Sequence, residues 1–155
     1  MAKKSGLAQE FYVGGRDLSG DVGAINQAAS PRETVEITGI DKSAVERLMT
    51  RADGLLEFAV FFNDATDQEH DAFKALPTTD VLALWAFGGA VGDVALGIVA
   101  KQINYDWTRG QDKSLLGTVR CESGGVAPEW GVLLTPGNVT HTLATKGASL
   151  YNAAA

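Results

Sequence analysis

The sequence is poor in the residues that build disulfides and metal centres. Among 155 residues it has one cysteine and two histidines. Cys121 therefore cannot form an internal disulfide, and a zinc site made of four cysteines is excluded. Two histidines also leave little material for other metal sites. No structural metal is expected, and the fold must be stabilised by an apolar core.

Positive charge is also in short supply. Lysine and arginine together number 13 against 19 aspartates and glutamates, which gives a formal net charge of -6. Proteins that hold nucleic acid by neutralising phosphates usually show the opposite balance. Tight DNA binding is therefore not expected, although contact with DNA that must not be retained remains compatible with this charge.

No apolar run is long and unbroken enough to predict a membrane helix. Residues 81–100 contain only one charged side chain, that of Asp93, but Gly88-Gly89 and Gly92-Asp93 interrupt the stretch. Such a break in lipid would leave backbone polar groups without partners. Two buried strands joined by a turn are favoured instead. Lys3-Lys4 is followed by no apolar run, so no secretory signal is recognised and synthesis inside the cell is expected.

The composition is that of a globular domain, with 45% hydrophobic and 21% charged residues. A chain of this length suits one domain and buries roughly two-thirds of the surface that its unfolded form exposes. The composition divides it into three parts. These are an N-terminal arm with short strands (1–32), a β-sandwich domain (33–135), and a C-terminal tail or truncated linker (136–155).

Strand patterns dominate the middle part. Alternating or densely apolar segments bounded by turn residues predict strands at 33–37, 55–63, 79–87, 94–101, 113–122 and near 130–134. Residues 88–93 are predicted to be the bend of a hairpin, and 106–112 a turn between strands. Short connections between this many strands predict a mainly β fold, a sandwich or barrel.

Two segments carry helix start signals. Ser43 and Glu46 fit a capping box, followed by Val45, Leu48 and Met49 at helical spacing. Thr66-Asp67-Gln68-Glu69 offers a second box, and Pro77 marks the end of that helix. The fold class is therefore predicted as a β-sandwich or barrel with one or two short flanking helices.

Catalytic groups are not arranged in a recognisable pattern. Cys121 alternates with apolar residues and is expected to be a buried small hydrophobe, while His70 is expected to be solvated among acids. The acidic cluster Asp64, Asp67, Glu69 and Asp71 lacks the spacing of a calcium loop, and a solvated helix start explains it more simply. The glycine run at 88–92 precedes a strand rather than a helix, so a phosphate-binding loop is not indicated. No enzyme, metal or cofactor is predicted.

An ordered set of short segments resembles the major tail proteins, or tail tube proteins, of long-tailed bacteriophages, notably those that infect actinobacteria. The segments span roughly residues 10–135. They are Gly39-Ile40-Asp41-Lys42-Ser43-Ala44-Val45-Glu46-Arg47, Asp53-Gly54, Phe61-Phe62-Asn63, Leu76-Pro77-Thr78-Thr79-Asp80, Val99-Ala100-Lys101-Gln102-Ile103-Asn104-Tyr105-Asp106 and Glu129-Trp130-Gly131.

The resemblance implies a structural virion protein with a tail-tube-like fold. Six copies would form a ring, strands of each copy would join an inner barrel, and stacked rings would conduct the genome into the host. It implies partners of three kinds: other copies of the chain, the tape measure, tail terminator and baseplate proteins, and DNA that passes without specific binding. The expected location is the virion tail, after synthesis in the bacterial cytoplasm.

Polar residues that interrupt the predicted strands are the candidates for the channel or for interfaces. This set comprises Glu57, Lys101, Arg120 and Glu122. An ordinary solvated sheet face explains them equally well. The acids Asp64, Asp67, Glu69 and Asp71 are candidates for contacts between rings.

Two other functions remain open at this point. The first is a phage head decoration or head–tail joining protein, which would share the composition and the virion location. The second is a small-molecule enzyme that uses Cys121 or the acids of 64–71.

Overall fold

The computed structural model describes residues 5–75, 80–90 and 92–133, with the side chain of Val126 excepted. Antiparallel strands make up most of this part of the chain. In chain order they are β1 (Glu10–Val13), β2 (Arg16–Asp17), β3 (Val22–Ala29), β4 (Arg32–Glu36), β5 (Arg47–Ala52), β6 (Leu55–Phe61), β7 (Val81–Ala86), β8 (Val94–Arg109) and β9 (Leu115–Val132). One short helix, α1 (Glu69–Phe73), lies between β6 and β7.

Seven strands form one sheet in the order β2-β1-β7-β8-β9-β6-β3, and β4 pairs with β5 in a separate hairpin. The large sheet folds over on itself. In a flat sheet β1 and β6 would lie about 19 Å apart, four strand spacings of roughly 4.8 Å. The rings of Phe11 on β1 and Phe58 on β6 are instead 4.7 Å apart between centroids. The two halves of the sheet therefore face each other as the layers of a sandwich.

The long hairpin β8–β9 makes this folding possible, because both strands contribute to both layers. The first half of β8 pairs with β7, whereas the first half of β9 pairs with β6. Between these regions β9 carries two extra residues, since Val99 pairs with Val126 but Ala100 pairs with Ser123. The extra residues are Gly124 and Gly125. Gly125 has a φ of +104°, which side chains rarely adopt, so glycine permits the bend.

The core lies between the two layers and is closed by α1. Phe58, Phe73 and Val119 are fully buried there, and the ring of Phe73 lies 5.6 Å from that of Phe58. The segment expected to be an N-terminal arm contains the short strands β1 to β3. It also contributes Phe11, Val13 and Leu18 to this core, which the composition did not predict.

The helix predicted from Ser43 onward is wrong. Residues 47–52 form β5, which pairs with β4 through Val35 opposite Leu48 and Glu36 opposite Arg47. Leu48 and Met49 therefore point to opposite faces of a strand instead of sharing a helix face. Glu46 donates its backbone N–H to Thr38 Oγ1 at 2.9 Å, across the hairpin, so it does not take part in a capping box.

The second predicted helix exists, but it is shorter than the 66–76 that the sequence indicated. It begins at Glu69, and the residue before it, Gln68, makes no side-chain capping bond. The capping box of Thr66 with Glu69 is therefore wrong. Leu76 and Pro77, where the end was predicted, lie outside the described residues.

The strands predicted at 33–37, 55–63, 79–87 and 94–101 correspond to β4, β6, β7 and β8, with different ends. The segments predicted at 113–122 and near 130–134 belong to a single long strand, β9, and β5 was not predicted as a strand. The bend at residues 88–93 is present, with the Phe87 backbone N–H bonded to the Val94 carbonyl at 2.8 Å. The turn predicted at 106–112 is wrong in its first half, since β8 continues to Arg109 and the chain turns between Gly110 and Ser114.

The predicted fold class, a mainly β sandwich-like architecture with a short helix, is confirmed. The sheet does not close into a barrel within the described residues, because β2 and β3 remain at its edges. Among these residues no helix has the length and apolar character to span a bilayer.

Candidate functional surfaces

The four polar residues singled out from the strand pattern lie together on one face of the sheet. Glu57 on β6 pairs in register with Arg120 on β9, and Lys101 on β8 pairs with Glu122 on β9. Arg120 and Glu122 are two residues apart on one strand, so their side chains share a face. We call this surface, on the side opposite the core, the polar face.

Each of the two cations on the polar face is held by carboxylates. Arg120 Nε lies 3.0 Å from Glu122 Oε1, and its Nη1 lies 3.8 Å from Glu57 Oε2. Lys101 Nζ lies 2.6 Å from Asp80 Oδ1. These side chains are between 29% and 49% exposed, so the pairs contribute about 0–1 kcal/mol each to stability. Their main effect is therefore on the charge that this surface presents.

Neutral and acidic groups complete the polar face. Asn104 accepts the Arg120 backbone N–H at 2.9 Å and donates to Asp106 Oδ2 at 3.0 Å. Asp106 lies opposite Thr118, on the same face as Arg120. Asp80, Glu57, Asp106 and Glu122 thus set four carboxylates against two cations, and the polar face is net acidic. The strand pattern had not identified Asp80, Asn104 or Asp106.

The hairpin β4–β5 forms a second candidate surface, of which the sequence predicted only the first strand. Every residue of β4 is exposed, as are all of β5 except Ala52. Val35 and Leu48 are 51% and 54% exposed although they face each other across the hairpin. Ile37 lies on the same side as Val35. We call this apolar stripe of Val35, Ile37 and Leu48 the hairpin face.

An isolated two-stranded hairpin is marginally stable in water, and exposed apolar patches commonly mark interaction sites. Within the described part of the chain, β4 and β5 pair only with each other. At its base the Asp53 N–H donates to the Pro31 carbonyl at 2.8 Å, which continues the pairing of Arg32 with Ala52 and closes the hairpin between β3 and β6. The hairpin face is therefore available to another protein surface.

The four acids considered for contacts between rings do not form one surface. Asp64, Asp67 and Asp71 are at least partly accessible, and Asp67 pairs with Arg16 at 3.2 Å. Glu69 is completely buried. The interpretation of the whole cluster as a solvated helix start is therefore wrong for Glu69.

Glu69 belongs to a buried hydrogen-bond network that joins α1 to three strands or their ends. Its Oε1 accepts the Tyr105 hydroxyl at 2.5 Å, and its Oε2 accepts the Asn63 backbone N–H at 3.4 Å. Asp21, 6% exposed, accepts the Glu69 backbone N–H at 3.2 Å and Asn63 Nδ2 at 2.8 Å. A buried carboxylate requires such donors, so the network fixes α1 over the end of the core.

His70 is also part of this network, contrary to the expectation that it is simply solvated. Its Nδ1 lies 3.0 Å from the Tyr105 hydroxyl oxygen, and its ring packs 5.1 Å from that of Phe62. Because Tyr105 donates its only hydroxyl proton to Glu69, Nδ1 of His70 acts as the donor. Burial, followed by the hydrogen bond to Glu69, raises the pKa of Tyr105.

The expectation that Cys121 is a buried small hydrophobe is confirmed. It is 1% exposed, and burial raises the pKa of its thiol to about 12. The thiolate that a nucleophile requires is thus suppressed at neutral pH. Among the described residues no group of three or more His, Cys, Asp or Glu side chains is placed to hold a metal ion.

The burial of Glu69 predicts a pH dependence of stability. Burial, the largest influence, raises the pKa of Glu69 above its usual value of 4.5, so the folded chain binds the proton more tightly than the unfolded chain does. The stabilisation due to protonated Glu69 is complete below that usual value and is lost as pH rises through the folded-state pKa. We therefore expect the free energy of unfolding of the native chain to increase relative to that of E69Q as pH is lowered from about 8 towards 4.5.

Urea titrations of both chains over this pH range measure the difference. D64N, which neutralises an exposed carboxyl of the same loop, is the control and should follow the native curve. An E69Q curve parallel to the native one would show that another group is responsible.

Comparison with known proteins places this fold in context. No family model matches the chain, and no curated protein matches its sequence. Solved structures do match. A chain from the virion of a native gene transfer agent particle has a TM-score of 0.64 and 11% sequence identity, over 83% of this chain and 99% of that one.

A chain from the tail of an empty gene transfer agent particle, obtained by helical refinement with C6 symmetry, has a TM-score of 0.62 and 12% identity. The match covers 84% of this chain and 99% of that chain. At these identities the likeness establishes a shared fold. The sandwich described above is thus the fold of chains found in gene transfer agent particles.

Proposed function

We propose that this chain is the structural subunit of a bacteriophage-type tail, and that it assembles into stacked rings, six copies to a ring, which form the tail tube. The observation that carries the proposal is the match of its fold to nearly the whole of a chain from a tail refined with C6 symmetry. The ordered segments that resemble major tail proteins of actinobacterial phages support the same conclusion.

The open sheet supports assembly of this kind. Its two edges are formed by different strands, β2 and β3. Exposed edges are templates for pairing with another chain. A contact between two different surfaces of one subunit repeats head to tail and closes into a ring when the rotation permits. The hairpin face supplies a further surface, which in this proposal contacts a neighbouring copy.

The polar face supports a role in the channel. In the assembled tube Glu57, Lys101, Arg120 and Glu122 would line the lumen, through which DNA passes without being retained. Asp64, Asp67 and Asp71 would lie at contacts between rings. Tape measure, tail terminator and baseplate proteins are the further partners of such a tube, and the virion tail is its location.

Electron microscopy tests the proposal. Negative staining of the purified chain is expected to show hollow tubes of stacked rings, and antibody labelling of virions should follow the tail shaft. Labelling confined to the capsid would overturn the proposal and would favour a head decoration protein. Labelling confined to the junction between head and tail would favour a joining protein.

A further inference from the structure

Arg120 is the cation on the polar face best suited to bind phosphate. A guanidinium presents a planar fork of donors that matches phosphate oxygens. Its side chain is 40% exposed, so a ligand can reach it. An unoccupied arginine on a surface that DNA touches would therefore be expected to retain DNA.

In the structure two carboxylates already contact the guanidinium of Arg120. Glu122 receives its Nε and Glu57 faces its Nη1, so carboxylates approach the guanidinium from β9 itself and from β6. Glu57 is held in place in turn, since its Oε1 accepts Asn26 Nδ2 at 3.5 Å. A phosphate that binds Arg120 would therefore lie close to both of these carboxylates, which repel it.

We propose that Glu57 and Glu122 mask Arg120, which means that they prevent its guanidinium from binding phosphate. Because of this masking, duplex DNA can touch the polar face without being bound by it. The inference rests on the proposed function, which supplies DNA as the polyanion. The positive charge of Arg120 also stabilises the two negative charges of Glu57 and Glu122, which lie close together on adjacent strands. The face thus stays acidic without the repulsion that Glu57 and Glu122 would otherwise experience.

Lys101 follows the same arrangement with different partners. Its ammonium group is 2.6 Å from Asp80, and Glu122 lies opposite it across the β8–β9 ladder. Removal of Glu122 therefore weakens the acidic surroundings of both cations, whereas removal of Glu57 acts on Arg120 alone. Asp80 remains in every variant below, so the measured change reports mainly on Arg120.

The test measures binding of a short DNA duplex to the purified chain as salt concentration varies. E57Q/E122Q removes both masks and keeps Arg120, and E57Q/E122Q/R120Q removes the cation as well. E33Q/D41N is the matched control, because it neutralises two carboxyls of the exposed hairpin region and leaves the polar face intact. All four chains, native included, are compared by fluorescence anisotropy.

We expect E57Q/E122Q to bind the duplex about tenfold more tightly than the native chain at about 50 mM salt, and to lose this gain by about 200 mM, as phosphate contacts do. The triple variant and E33Q/D41N should bind as weakly as the native chain. Equal affinities of E57Q/E122Q and the native chain would overturn the masking. A gain in E33Q/D41N as large as that in E57Q/E122Q would also overturn it, because net charge alone would then explain the result.

The same samples are imaged for tubes, which separates this inference from the proposed function. All the masking contacts lie within one chain, so the binding comparison is valid for subunits that do not assemble. Absence of tubes in solution, together with absence of antibody labelling along the tail shaft of virions, would count against the tail role alone. Tubes with no gain of binding in E57Q/E122Q would count against the masking alone.

Discussion

Tube assembly should be lost when the hairpin face is made acidic by V35D/L48D. The two side chains are cross-strand partners, and each is more than half exposed in the single subunit. Two carboxylates directly opposite each other repel, and burying them against a neighbouring copy without partners is strongly unfavourable. We expect the critical concentration for tube formation, measured by sedimentation, to rise by at least about tenfold, which corresponds to about 1.4 kcal/mol per added subunit.

The variant should nevertheless keep a folded sandwich, because the core contains neither residue. Surface changes away from the core usually alter stability by about 0.5 kcal/mol or less, so the midpoint of thermal unfolding should move little. S5D/L7D is the matched control, since it also adds two carboxylates and removes an exposed leucine, at 82% exposure, outside the hairpin. Tubes formed by V35D/L48D as readily as by the native chain would exclude the hairpin face from assembly.

The second strand of the hairpin, β5, is also where prediction from the sequence failed, and the reason is physical. Ser43 and Glu46 satisfy a capping box, and Val45, Leu48 and Met49 recur at the spacing of a helix face. A short apolar segment of this kind is compatible with a helix and with a strand, and pairing with a distant part of the chain decides which one forms. Here β4 supplies a partner strand for residues 47–52. Because Leu48 and Met49 are adjacent and both exposed, β5 lacks the alternation of apolar and polar residues by which β4 is recognised in the sequence.

The polar face was accessible to sequence reasoning because period-two alternation assigns side chains to faces. Arg120 and Glu122 alternate with buried Val119 and Cys121, so their shared orientation followed from β9 alone. The partners of these residues did not follow. The pairing of Glu57 with Arg120 depends on the register between β6 and β9, and residue types alone do not fix this register.

The network around Glu69 shows a different limit. An acid among three other acids, at the start of a helix, is ordinarily solvated, and composition favours that interpretation. Its burial arises because Tyr105 and Asn63, distant in sequence, supply donors at that point. The length of β9 was missed because the bulge at Gly124-Gly125 interrupts the alternation that marks a strand, and β8 has an irregularity of its own between Gln102 and Asn104.

Replacement of Phe11 by alanine should destabilise the isolated subunit severely. The side chain is 2% exposed, and its ring lies 4.7 Å from that of Phe58 on the opposite layer of the sandwich. Loss of a buried phenylalanine costs about 3–5 kcal/mol, a large part of the about 5–15 kcal/mol that stabilises a typical domain. The midpoint of thermal unfolding should fall by about 10 °C.

This outcome decides whether the first 32 residues act as an arm or as part of the sandwich in the free subunit. L7A is the control, because Leu7 belongs to the same segment but is largely exposed, and it should change stability by about 0.5 kcal/mol or less. A midpoint for F11A equal to that of L7A would mean that β1 does not dock in the isolated chain, and that the segment orders only in the assembly. A large loss in F11A alone would make β1 a strand of the subunit itself, so that neighbouring copies meet an edge that is already formed.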